Sequence, residues 1–203
     1  MENIKSFIEK VIDNAFTSIT ELYNSHDGVV QGTRLCFPEY KNGSNKEKKR
    51  LSEQEFKQLF IEKFNELRKL QNLDLYYSVE TPTRQTHTVK AKEGSEGRSG
   101  NYDLTVRDKE KTLAIIEFKA KNSKYDRDVM KMCNHDEGDA LCFLVNVLEA
   151  SYKNTFESIE KKVKELYKEM KGQKTIHLRM ISIQHHETKK PEKVQKDITP
   201  QTI

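Results

Sequence analysis

Apolar residues recur every three to four positions through the first stretch of the chain, at Ile4, Phe7, Ile8, Val11, Ile12, Ala15, Ile19 and Leu22. That period predicts an amphipathic helix over Glu2–Asn24, with a stripe broad enough to pack on another element. The periodicity then stops. Residues Ser25–Arg50 end in the polar, basic run Lys41–Arg50 and predict a solvated loop or linker. Ser52 followed three residues later by Glu55 has the form of a capping box, which satisfies two orphan amides at a helix start. The helix it opens carries Phe56, Leu59, Phe60, Phe64, Leu67 and Leu70 along one side.

The period changes to two at Leu73–Thr81, where Leu73, Leu75, Tyr77 and Val79 alternate with Asp74, Tyr76, Ser78 and Glu80, and a strand is predicted. Pro82–Gly100, with one proline and three glycines, predicts a long, basic, flexible loop. Asn101–Arg107 is a second strand, with Tyr102, Leu104 and Val106 on one face and Asp103 and Thr105 on the other. The polar turn Asp108–Lys111 joins it in a hairpin to Thr112–Ala120, which is apolar on both faces as a central strand should be. Beyond it the pattern predicts a short helix at Asp126–Cys133 and a strand at Leu141–Leu148. A helix at Ser151–Lys171 and a strand at Thr175–Gln184 follow. The polar tail from Glu187 predicts disorder. This order is an α/β layout, a mixed sheet with an antiparallel meander at its start and crossover helices later.

Composition narrows the class. A chain of 203 residues suggests one domain with an appendage. The expected division is an N-terminal helix and basic loop over 1–51, a core over 52–186 and the tail over 187–203. No run approaches the roughly 18 apolar residues of a membrane span, and the first residues lack the basic flank and apolar core of a signal peptide, so a cytoplasmic protein is expected. Cys36, Cys133 and Cys142 have no disulfide-scaffold spacing, and no second pair accompanies Cys133 and His135 at zinc-like spacing. The net charge of +4 permits nucleic acid binding without demanding it.

The candidate chemistry lies in Glu117-Phe118-Lys119, at the end of the central strand. Period two places Glu117 and Lys119 on one face and Phe118 on the other. Opposite charges ending an apolar strand are costly unless they pair or bind something. The hairpin brings Asp103 toward Glu117, and two acids aimed at one spot are usually reconciled by a divalent cation. Magnesium would suit one or two carboxylates with waters and phosphate oxygens, leaving Lys119 to orient or help deprotonate the attacking water and to stabilise phosphate charge.

The run Gly-Asn-Tyr-Asp103-Leu-Thr-Val, a short turn, then Ala-Ile-Ile-Glu117-Phe-Lys119 resembles the PD-(D/E)XK nuclease superfamily, with Tyr102 in place of the motif's proline. The resemblance spans roughly Ser52–Gln184 and implies a restriction endonuclease-like sheet flanked by helices. It further implies a magnesium-dependent (manganese also acceptable) hydrolase of phosphodiester bonds, an endonuclease or exonuclease of defence or DNA processing. Asp103, Glu117 and Lys119 would then be catalytic, with the two acids binding the metal. The superfamily often adds an acid from the first core helix, for which Glu55 is preferred over Glu62; Glu80 is a further candidate.

Arg84, His87, Lys90, Lys92 and Arg98 precede the motif, and Lys121, Lys124, Arg127 and Lys131 follow it. Flanking the site together, they would make an electropositive cleft for a nucleic acid backbone, DNA first and RNA second. A competing expectation is a catalytically inactive nucleic acid-binding or scaffold protein that keeps the nuclease fold. A homodimer or larger assembly stays open, since cutting both strands of a duplex suits a pair of sites.

Overall fold

The computed structural model describes residues 3–25, 35–36, 39–41, 47–49, 51–87, 98–120, 124–152, 154–185 and 187–203, with the backbone alone at 39–41, 47–49, 85–87 and 98–99. These residues form α1 (Ile4–Asn24), β1 (Glu39–Lys41), β2 (Glu47–Lys49), α2 (Glu53–Leu70), β3 (Tyr76–His87), β4 (Arg98–Arg107), β5 (Thr112–Ala120), α3 (Asp126–Cys133), β6 (Leu141–Ser151), α4 (Thr155–Glu169), β7 (Ile176–His185) and β8 (Glu192–Ile198). Strands β3 to β8 lie in sequence order in one six-stranded mixed sheet. The β3–β4–β5 meander is antiparallel, β5–β6–β7 is parallel, and β8 is antiparallel on β7.

Each face of the sheet has its own core. On one side Phe7, Ile8 and Val11 of α1 and Phe56, Phe60 and Phe64 of α2 pack with Leu104, Ile116, Phe118 and Val145. On the other, Val129 and Met132 of α3 and Ile159, Val163 and Tyr167 of α4 pack with Ile115, Cys142, Leu144 and Leu178. The parallel strands are buried on both faces because helices cover both, which is why β5 and β6 are nearly continuous apolar runs; β7 is equally buried as far as Ile183 but carries His177, Arg179 and Ser182.

Local signals set several boundaries as expected. Ser52 and Glu55 form the capping box of α2. Asp108 Oδ1 accepts from the amides of Glu110 and Lys111, both at 2.8 Å, closing the β4–β5 turn. Other expectations need correction. The Ser25–Arg50 linker contains a two-stranded antiparallel ribbon, β1 with β2. The Pro82–Gly100 loop is shorter than expected, because β3 continues to His87 and β4 starts at Arg98, each completing the other's ladder. The tail is not wholly irregular: β8 pairs with β7 from Ile176↔Ile198 to Ser182↔Glu192, covering an otherwise open edge. Helix α4 begins at Thr155, since β6 runs on to Ser151, and Tyr152 is exposed.

Tyr102 also departs from simple alternation. It lies in the α3/α4 core, whereas Leu104 and Val106 lie in the α1/α2 core. The face switches at Asp103. Two irregularities meet there: Glu80, between the paired residues Val79 and Thr81 on β3, has a left-handed φ of 50°. In addition, the β4–β5 ladder ends at Leu104↔Ile116. Among the described residues, no helix is long and apolar enough to cross a membrane.

Candidate functional site

The site is built where the β4–β5 ladder opens. Beyond Leu104↔Ile116 the two strands no longer pair, so the amides of Phe118 and Ala120 on that edge of β5 need other acceptors. Carboxylates take the place of backbone carbonyls. Asp103 Oδ2 accepts from the Phe118 amide at 2.8 Å, and Glu53 Oε1, in the first turn of α2, accepts from the Ala120 amide at 3.3 Å. The opened ladder therefore sets an acid on each side of the Glu117–Lys119 segment.

Phe118 anchors this segment, with its ring edge-on to Phe60 at 5.5 Å and Phe56 at 5.9 Å between centroids. Glu117 faces the opposite layer and is 1% exposed. The Lys131 ammonium, from α3, stands in ion-pair contact with Glu117 Oε1, and Glu117 Oε2 has no partner among the described residues. Burial holds the Glu117 carboxyl well above its usual range; Lys131 opposes that rise, and Asp128 and Asp103 add to it.

Lys119 Nζ lies 2.9 Å from Asp128 Oδ2 and 4.0 Å from Glu53 Oε1. Burial alone would lower this ammonium, but Asp128, with Glu53 and Asp103, carries it above its ordinary value. Lys119 is therefore a cation at neutral pH. It can stabilise negative charge but is not poised to take up a proton. Asp128 Oδ1 also pairs with Lys131 at 3.2 Å. Beside Lys119 on the neighbouring strand is Asn146, fully buried, its Nδ2 donating to Tyr125 Oη while its Oδ1 has no donor among the described residues. Burial pushes the Tyr125 phenol up to about 12, so it stays protonated.

Glu53, Asp103, Glu117 and Asp128 thus surround Lys119 and Lys131, a formal excess of two negative charges in a largely buried cluster. Among the described residues, no three His, Cys, Asp or Glu side chains converge as a ready-made metal cage. The donor chemistry still suits a hard cation that keeps several waters, because carboxylate oxygens surround the site and Glu117 Oε2 has no partner among the described residues.

The sequence candidates separate accordingly. Asp103, Glu117 and Lys119 share this neighbourhood. Glu55 is occupied by its capping box, accepting from the Ser52 amide at 3.0 Å, and the helix acid that reaches the site is Glu53. Glu62 is half-buried further along α2. Glu80 is exposed and paired with Lys57 at 2.9 Å. Arg84 is exposed and paired with Glu137 at 3.2 Å, and Lys124 is exposed just before α3. Lys90, Lys92 and Lys121 lie outside the described residues, as does the Arg98 side chain. Lys131, expected with the cleft-lining cations, is instead buried inside the cluster.

Sequence reasoning missed Glu53, Asp128, Tyr125 and Asn146. The available signal was slight. Asp128 and Lys131 are three apart on a short helix, hence on one face, and Asn146 interrupts an apolar strand. Compared with protein-family models, curated proteins and solved structures, the chain gives no match.

Proposed function

We propose that this protein is a metal-dependent nuclease of the PD-(D/E)XK, restriction endonuclease-like type that hydrolyses phosphodiester bonds, in DNA first. One observation carries the reading: a buried cluster of carboxylates formed where two strands part, with Glu117 Oε2 lacking a partner among the described residues and Asp103 and Lys119 beside it. A phosphodiester is an anion and would be repelled by this excess of carboxylates unless a cation came with it. Asp103 and Glu117 would hold magnesium or manganese, which supplies Lewis acidity and a more acidic bound water. Lys119, held cationic by Asp128, is suited to stabilising charge that builds on the phosphate. Exposed Arg84 and Lys124 would contribute to backbone binding.

The decisive assay incubates plasmid and single-stranded DNA with a magnesium or manganese titration. Asp103→Ala, Glu117→Gln and Lys119→Ala are each expected to lose on the order of 10²-fold or more in rate. Cleavage that survives all three changes refutes the assignment. A second reading, a nucleic acid-binding protein without catalysis, draws on the ion pairs that already engage Lys119, Lys131 and Asp128. Its signature is salt-sensitive DNA binding with no metal-dependent cleavage.

A further inference from the structure

Lys131 brings its ammonium into the cluster from α3 and is 7% exposed. Three oxygens face its Nζ. Glu117 Oε1 is in ion-pair contact, the Asn101 carbonyl accepts at 2.8 Å, and Asp128 Oδ1 lies at 3.2 Å. Two carboxylates and a main-chain carbonyl are the donor types a hard cation takes. A second observation points the same way. Lys131 meets only Oε1 of the buried Glu117 carboxylate, and Oε2 has no partner among the described residues, a cost that a doubly charged ion relieves better than the ammonium does.

The lysine's aliphatic stem packs over Gly100, where a side chain would crowd it. A Cβ built on Gly100 would stand 3.3 Å from Lys131 Cδ, and the Tyr102 ring centroid lies 6.0 Å from the ammonium. Asp128 meanwhile holds Lys119 through its other oxygen, Oδ2. Removing the Lys131 ammonium therefore leaves Lys119 still anchored.

We infer that Glu117, Asp128 and the Asn101 carbonyl form a divalent-cation seat whose place the Lys131 ammonium takes, and that the ion must displace this ammonium to enter. The inference rests on the proposed nuclease for the reaction the seat would serve. It adds Asp128 and the Asn101 carbonyl as ligands and makes Lys131 an internal competitor of the ion. The exchange replaces one positive charge by two, which halves the cluster's formal negative excess. Loading then depends on how readily the lysine leaves as well as on the acids.

The test uses Mn2+ alone as probe on the full chain, with binding followed by the electron spin resonance of the free ion and by calorimetry. Lys131→Met is expected to bind Mn2+ about tenfold or more tightly than wild type, because a close repulsive charge is gone. Adding Asp128→Asn should abolish that gain. On the wild type, acetylation of Lys131 by acetic anhydride, mapped by mass spectrometry, should quicken roughly tenfold at saturating Mn2+ as the amine leaves its buried position. Acetylation of exposed Lys124 should not change.

Equal Mn2+ affinity in Lys131→Met and wild type, no uptake by either, or an unchanged Lys131 acetylation rate overturns the inference. Should Lys131→Met not fold, the wild-type acetylation experiment decides alone. Tighter Mn2+ binding without DNA cleavage keeps the seat and removes the nuclease. Metal-dependent cleavage that requires Asp103, Glu117 and Lys119, with no effect of Lys131→Met on affinity, does the reverse.

Discussion

The pairing of Glu117 with Lys131 makes a quantitative prediction about stability. Both side chains are nearly sealed from solvent, at 1% and 9% exposure. Lys131 is the cation in contact with Glu117, and it also meets Asp128 and the Asn101 carbonyl. Removing one partner of such a pair strands the other and costs about 3–5 kcal/mol, whereas replacing both with apolar groups of similar volume is often neutral or stabilising. Lys131→Met should therefore destabilise by about 3–5 kcal/mol and Glu117→Leu/Lys131→Met by less than about 1 kcal/mol. The double variant is harmless to Asp128, which keeps Lys119 at 2.9 Å. In a chain of this size each kcal/mol shifts the melting temperature by roughly 2–4 °C, so the single variant should melt roughly 6–20 °C lower. Calorimetric melting of wild type, both singles and the double closes a mutant cycle at pH 7. If the double variant loses the sum of the two singles, the groups are not coupled and the account of this cluster is wrong.

Other outcomes follow from the same structure. Burial would raise the Asp197 carboxyl, but hydrogen bonds from Lys5, His177 and Arg179 outweigh it and hold the group well below the usual carboxylate range. A depressed acid stabilises above its unfolded pKa of roughly 4 and loses that contribution as pH falls further. Asp197→Asn should thus cost about 1 kcal/mol at pH 7, reduced by solvent screening, with the difference from wild type disappearing in acid melts. Asp103→Ala should cost about 1–3 kcal/mol in urea titration besides any loss of activity, because it strips the acceptor from the Phe118 amide; an unchanged midpoint would contradict that hydrogen bond. At Gly172 an added Cβ would fall 2.5 Å from Tyr167 Cζ, so Gly172→Ala should destabilise by about 1–3 kcal/mol unless the ring can move, as a thermal melt would report. If DNA binds, Lys124→Ala should lower the slope of log affinity against log salt by about one.

What was legible in the sequence was local. The stripe through Phe7, Val11 and Ile19 specified α1, and the Phe56–Leu67 stripe with its Ser52/Glu55 cap specified α2. Alternation around Glu117 assigned Phe118 to one core and Glu117 to the other side of β5. These signals depend on residues within one or two turns of each other, so a single segment carries them complete. Where the β4 alternation was broken at Asp103, the cause lay in two other strands, Glu80 on β3 and the end of pairing with β5, and no local pattern encodes that.

Residue patterning alone carried the mixed α/β class, the order of the four helices and of the strands β3 to β7, and the acid–acid–lysine set, but neither the β1–β2 ribbon nor β8. Tertiary structure decided which charges meet. Glu53 arrives from a helix 67 residues away in sequence from its Ala120 partner, and Asp128 and Lys131 arrive from the helix after β5. Whether a lysine such as Lys131 is a solvated surface group or a buried counter-ion depends on the oxygens placed around it by other segments. Periodicity states which face of an element is apolar; Coulomb and desolvation energies, which depend on distance and burial, choose the partners for the charges on it.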